Sequence, residues 1–225
     1  MSIIKNIGKK VVFSLPSSYV LMFHHVTSTP EIKCSGCMLD TDKFYNIVNL
    51  LSNFESLEIA LKSPHKRKIV ITFDDGLADL YTIAYPYLVS RNIPFTAFII
   101  TDFLDKPGYI STEQLIEMSK NPLVTIGSHG LSHEIFTKMD NTTKINELKD
   151  SKKKLEDVIN KKVNVFAYSH GQYDTETLKY TAEYYTYAMS VKEFPLNFIT
   201  NNKMLIPRIN IDNMTYERQL NVIKN

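Results

Sequence analysis

Short β-rich runs alternate with helical segments along this chain, and that alternation limits the possible folds more than any single residue does. Seven runs are rich in Val, Ile, Phe or Tyr and are bounded by Pro, Gly, Asn or Asp: residues 19–26, 68–73, 95–100, 124–128, 163–168, 186–191 and 205–211. Between them, apolar residues recur at helical spacing. Phe44, Ile47, Val48 and Leu51 mark one face of a helix over 42–53. A second helix covers 78–91, with Tyr81, Tyr85 and Leu88 as its inner stripe. Ser111 and Gln114 have the spacing of a capping box. The most polar helix covers 142–160, with Ile145, Leu148, Leu155 and Ile159 facing inward, and further helices cover 175–185 and 215–224. Strand-then-helix order implies parallel strands with helical crossovers. Seven such strands in 225 residues predict one α/β domain over residues 1–225, closed or nearly closed into a barrel.

In barrels of this kind, chemistry gathers at the carboxyl ends of the strands. His24, Asp74, His129 and Ser169 all fall at or just past such ends. Adjacent carboxylates, Asp74 and Asp75, directly follow the apolar run Ile69 to Phe73. Ionised Asp resists burial unless it is paired or bound to a metal. Asp75, His129 and His133 supply three ligands suited to zinc or a similar ion, with a coordination position left for water. On a helical turn, His129 and His133 would point to one side. Asp74 would leave an extended segment in the opposite direction from Asp75, free to accept a proton from a metal-activated water. The plainer reading is that Asp74 and Asp75 cap a helix beginning near Leu77. Of the pair His24 and His25, one is expected in the site and the other packed or hydrogen-bonded elsewhere.

The totals exclude some classes. Net charge is only +2, so no strong field toward nucleic acid or membrane is implied. The Lys-rich stretches 152–154 and 161–162 read as solvated helix faces. No run reaches the ~18 apolar residues needed for a transmembrane segment. Lys5, Lys9 and Lys10 precede Val11-Val12-Phe13 in the manner of a leader, but Ser14, Pro16, Ser17 and Ser18 interrupt it. The expectation is a cytoplasmic protein, with export as the alternative. Cys34 and Cys37 form a lone Cys-Ser-Gly-Cys pair, expected to have no catalytic role and to belong to no disulfide framework. Tyr109, Tyr173 and Tyr184 are candidates to stack on a ligand, though packing is the commoner use of aromatics. No pattern speaks to oligomeric state.

Ile71-Thr72-Phe73-Asp74-Asp75-Gly76 and Ser128-His129-Gly130-Leu131-Ser132-His133 resemble the first two motifs of the polysaccharide deacetylases, carbohydrate esterase family 4. Phe166 to Asp174 resembles the third motif, and Ile206-Pro207-Arg208-Ile209 a later segment. Leu21-Met22-Phe23-His24-His25 is similar to the N-terminal histidine segment of the branch that deacetylates poly-N-acetylglucosamine. The resemblance covers about residues 20–220. It implies a distorted (β/α)7-type barrel and metal-dependent hydrolysis of N-acetyl or O-acetyl groups on sugars. It implies Asp74 as general base, His24 as general acid, and Asp75, His129 and His133 as ligands of a divalent metal, Zn2+ first, with Co2+, Ni2+ or Fe2+ as alternatives. Arg208 would orient Asp74, and a backbone N–H near Tyr168 or Ser169 would complete an oxyanion hole. The implied partner is an N-acetylated carbohydrate.

Three departures from the family pattern stand out. Gly130 replaces the usual Ser or Thr, which removes a loop hydrogen bond. Ser169 replaces Pro, and Ile209-Asn210-Ile211 lacks the usual histidine. Two readings therefore stand beside N-deacetylation: an O-acetyl esterase or other amide hydrolase on a glycan intermediate, and a carbohydrate-binding relative without turnover.

Overall fold

The computed structural model describes residues 18–29, 36–64, 66–196 and 202–224. The N-terminal lysines and Cys34 lie outside these residues. All seven expected strands form: β1 (Tyr19–Phe23), β2 (Ile69–Phe73), β3 (Phe95–Ile99), β4 (Val124–Ser128), β5 (Val165–Ala167), β6 (Tyr187–Met189) and β7 (Ile209–Asn210). They make one sheet in the order β6-β5-β4-β3-β2-β1-β7, and every neighbouring pair is parallel. The sheet curls toward closure at its last strand. Ile206 bridges Met189 of β6, whereas Ile209 and Asn210 pair with Leu21 and Met22 of β1. The switch between neighbours falls at Pro207, which has no N–H to give to either.

Strand side chains alternate between two apolar layers. Leu21, Phe23, Ile71, Phe73, Ala97 and Ile126 pack outward in the layer shared with the helices. Val20, Val70, Phe98, Val165, Ala167, Met189 and Ile206 fill the barrel interior. Gly127 belongs to the inner face because a Cβ there would lie 2.5 Å from the Phe98 ring. Even steps along each strand then carry the inner register past the carboxyl ends. Val20 leads to His24, Val70 to Asp74, Gly127 to His129, Ala167 to Ser169 and Ile206 to Arg208. The site is thus assembled by the period of two together with barrel closure.

The helices are α1 (Thr41–Leu50), α2 (Leu57–Lys62), α3 (Tyr85–Val89), α4 (Thr112–Lys120), α5 (Asn141–Ile159), α6 (Thr175–Tyr184) and α7 (Tyr216–Lys224). Ser111 makes the expected capping box at the start of α4. Three features of the helices differ from the sequence reading. Helix α2 was not expected; only six residues long, it buries Leu57 and Ala60 with the inner layer. The helix over 78–91 forms instead as a π-helical turn, Leu80–Ala84, running into α3. Pro86 lacks an N–H and crowds the preceding turn, and the wider turn accommodates it. In α5, Leu148, Leu155 and Ile159 are buried as expected, but Ile145 is only half-buried, and Lys144, Glu147 and Ser151 occupy the inner face. Cys37 is disulfide-bonded, a single bond that the sequence reading did not foresee.

Lys144 reaches its buried position because Asp174, the N-cap of α6, meets its Nζ at 2.6 Å and also accepts the Thr177 N–H. Burial raises the Asp174 pKa, but the Lys144 ammonium and Thr177 outweigh it and bring it down to about 2. A folded-state pKa below the unfolded value of about 3.9 means that the ionised form stabilises the fold. That contribution is complete above the unfolded pKa and is lost as pH falls through about 2. Asp174→Asn is therefore expected to lower the urea midpoint at pH 7, with the gap to the parent narrowing between about pH 4 and pH 2. A gap independent of pH would contradict the assignment.

Candidate active site

Asp74 still belongs to the sheet, its N–H donating to the Phe23 carbonyl. Asp75 does not: its φ is +72°, and Gly76 follows at +74°. Side chains in this left-handed region cost roughly 1–2 kcal/mol, Asp being among the tolerated residues. The turn brings both carboxylates to one imidazole. The His129 Nε2 lies 3.9 Å from Asp74 Oδ2 and 3.4 Å from Asp75 Oδ1. Strand alternation is therefore not what separates the two acids, and neither side chain caps the helix that follows, whose N-cap is Asp79.

Their partners separate them. Arg208, fully buried, donates from Nη1 and Nη2 to the two oxygens of Asp74 at 2.6 and 2.7 Å. Its Nε donates to the Ser190 carbonyl at 3.3 Å, and its guanidinium lies over the Phe98 ring. Burial works to raise the Asp74 pKa, but the Arg208 and His129 charges outweigh it and hold the carboxyl below its ordinary value. Asp74 is thus an oriented, ionised carboxylate.

Asp75 Oδ1 is buried and has no hydrogen-bond partner among the described residues. It faces the Nε2 atoms of His129 and His133, each at 3.4 Å. The His129 Nδ1–H donates to the Ala167 carbonyl at 2.8 Å, which turns Nε2 toward the carboxylate. Ligand atoms of Asp75, His129 and His133 all lie within 4.8 Å of one another. An orphaned carboxylate oxygen between two imidazole nitrogens fits a divalent cation. Burial opposes charge on all three. It is outweighed at Asp75 by the histidines and at His129 by the two aspartates, whereas the His133 pKa is brought down to about 4. The two histidines converge through a loop and not a helical turn, with His133 at φ +63°.

His24 and His25 divide as expected. His24 lines the same small cavity as Asp74, His129 and His133, and its Nδ1 is buried without a partner among the described residues. His25 is buried behind it, donating from Nδ1 to Asp79 at 2.6 Å. Ser169 anchors the His129 carbonyl through Oγ at 3.2 Å. Tyr168 lines the cavity but its N–H is engaged by the Met189 carbonyl, whereas Ser169 is fully buried and is not among the cavity's lining residues. Tyr109 is half-buried, and its raised pKa reflects burial first and the Asp75 charge second, which places it beside the site.

The cavity is about 90 Å³ and open to solvent on one side, space for a few waters or one small acyl group. His170 was not foreseen from sequence. It lines the cavity in a left-handed conformation, its ring 4.5 Å from that of His133 and its Nε2–H directed to the His133 carbonyl at 3.1 Å. A histidine between Ser169 and Gly171, just past an apolar run, was the available signal.

The family model for polysaccharide deacetylase matches residues 61–189. YxkH of Bacillus subtilis is 28% identical over 181 residues, covering 78% of this chain and 64% of that protein. A poly-beta-1,6-N-acetyl-D-glucosamine N-deacetylase of Staphylococcus aureus is 29% identical over 170 residues, covering 68% and 57%. The chain thus spans less than two thirds of the length of these relatives. Among solved structures, BC0361, a polysaccharide deacetylase from Bacillus cereus, superposes with a TM-score of 0.80 at 25% identity, covering 92% of this chain and 69% of that one. The Streptococcus pyogenes deacetylase PplD shares the fold, with a TM-score of 0.78 at 23% identity over 93% and 99% of the two chains.

Proposed function

Because this chain belongs to the polysaccharide deacetylase family, we propose that it hydrolyses the N-acetyl group of an amino sugar in a glycan, releasing acetate and a free amine. The observation that carries the reading is one cavity lined by both Asp74 and His24, beside the Asp75, His129 and His133 cluster. Those three residues would hold a divalent ion, for which we propose zinc. Such an ion, when bound, supplies Lewis-acid polarisation of a carbonyl and an acidified water. Asp74, kept ionised by Arg208, takes the proton of the attacking water. A C–O bond forms, the C–N bond breaks, and His24 delivers a proton to the departing nitrogen. A backbone N–H near Tyr168 or Ser169 is proposed to contribute a donor to the oxyanion, a contact worth roughly 2.7–4 kcal/mol in the transition state.

The small cavity admits an acetyl group while the sugar stays at the rim, which suits a polymer. The Staphylococcus aureus relative's name supports a poly-N-acetylglucosamine substrate.

The test is acetate release by zinc-loaded protein from N-acetylglucosamine oligomers and from O-acetylated xylan. Turnover confined to the xylan would replace the amide with the ester, and glycan binding without acetate from either would leave only a binding protein. His24→Ala is expected to cost about 10²–10⁴ in turnover on the amide. The loss is expected to be smaller on an aryl acetate, whose leaving group departs without protonation. Equal losses on both substrates would remove His24 from the acid role.

A further inference from the structure

Helix α5 carries a carboxylate, Glu147, that is 6% exposed and sits among the apolar residues facing the sheet. Its Oε2 accepts the Leu131 N–H at 2.7 Å and the Ser132 N–H at 3.2 Å. Its Oε1 accepts the Ser132 hydroxyl at 2.6 Å. These contacts all fall on the short loop between His129 and His133. That loop has little regular structure of its own, with Gly130 at φ +85° and His133 at +63°. A Cβ at position 130 would stand 3.0 Å from Glu147 Oε2. A glycine there lets the carboxylate lie against the loop backbone. Glu147 thus accepts three hydrogen bonds from a loop in which Gly130 has no side chain to contribute one.

We propose that Glu147 is a positioning residue for the metal-binding group: it fixes the loop so that the His133 imidazole meets Asp75 and His129. This rests on the metal-dependent reading of the site. Groups that orient ligand-bearing segments typically contribute 10- to 100-fold in metal affinity. Glu147 touches neither substrate nor metal, so its signature is affinity and ligand geometry.

The experiment measures zinc affinity by chelator competition and records the visible spectrum of the Co2+-loaded protein. Glu147→Ala is expected to weaken zinc binding about 10- to 100-fold and to alter the Co2+ bands. Glu147→Gln, whose carbonyl can accept the two N–H groups and whose amide can donate to the Ser132 hydroxyl, is expected to restore most of both. Leu155→Ala, a cavity in the same helix, is the control: lower thermal stability with unchanged zinc affinity. Should Glu147→Ala fail to fold, Ser132→Ala removes one of the three bonds at a half-buried position and is expected to weaken zinc binding about three- to tenfold. Parent-like affinity in Glu147→Ala, or in Ser132→Ala where that variant stands in, overturns the proposal, as does equal loss in Leu155→Ala. A parent protein that binds no zinc overturns the metal reading itself, a result distinct from any of these.

Discussion

Asp74→Asn is expected to lower turnover by about 10²–10⁴ while zinc remains bound. The amide cannot take a proton from water, whereas the Asp75, His129 and His133 cluster does not include this side chain. Asp75→Asn is expected to behave differently, losing zinc and turnover together, because it removes the one anionic ligand of the cluster. Zinc titration of both variants beside acetate release separates the two roles. Full activity in both variants would end the reading, and loss of zinc by Asp74→Asn would show that both acids serve the metal.

The largest effect on stability is expected from Arg208→Met. Arg208 is 1% exposed and bidentate to Asp74, which is 3% exposed. Removing one member of such a pair leaves a buried charge uncompensated, at a cost of roughly 3–5 kcal/mol. Arg208→Lys is expected to recover only part of this, since an ammonium cannot offer two parallel donors or the same contact over the Phe98 ring. The double variant Asp74→Leu with Arg208→Met removes both charges and is expected to regain stability without turnover. Urea unfolding of the three variants checks this. A loss below about 1 kcal/mol in Arg208→Met would mean that the pair is solvated and that Asp74 is not held as described.

The strands and the principal chemical groups were legible from local pattern. Each apolar run is short and bounded, so all seven strands could be placed within a few residues. Asp74, Asp75, His129 and His133 stand out because such groups at strand ends need a reason. That one of His24 and His25 enters the site was legible, but local pattern did not show which; only the resemblance pointed to His24. Adjacent residues at a strand end face opposite sides, and which side holds the pocket depends on the curl of the sheet. No local pattern marks Glu147, because its partners lie 15 and 16 residues away on a loop with no periodicity. The π-helical turn was hidden for a related reason: Tyr81, Tyr85 and Leu88 keep a helical spacing that does not reveal how Pro86 is accommodated.

By itself, the sequence determined the alternation of strands and helices and which side chains stand at the strand ends, because burial acts locally through periods of two and 3.6. The tertiary structure alone decided which of those groups meet. Arg208 lies 134 residues from Asp74 and reaches it only because the last strand passes from β6 to β1 and brings its inner face over the barrel. Asp75 leaves the strand through a left-handed turn that no propensity requires, and it faces two histidines on a loop held by a distant helix. Local pattern sets what each segment can bury; only closure of the sheet sets which charges must share the same space.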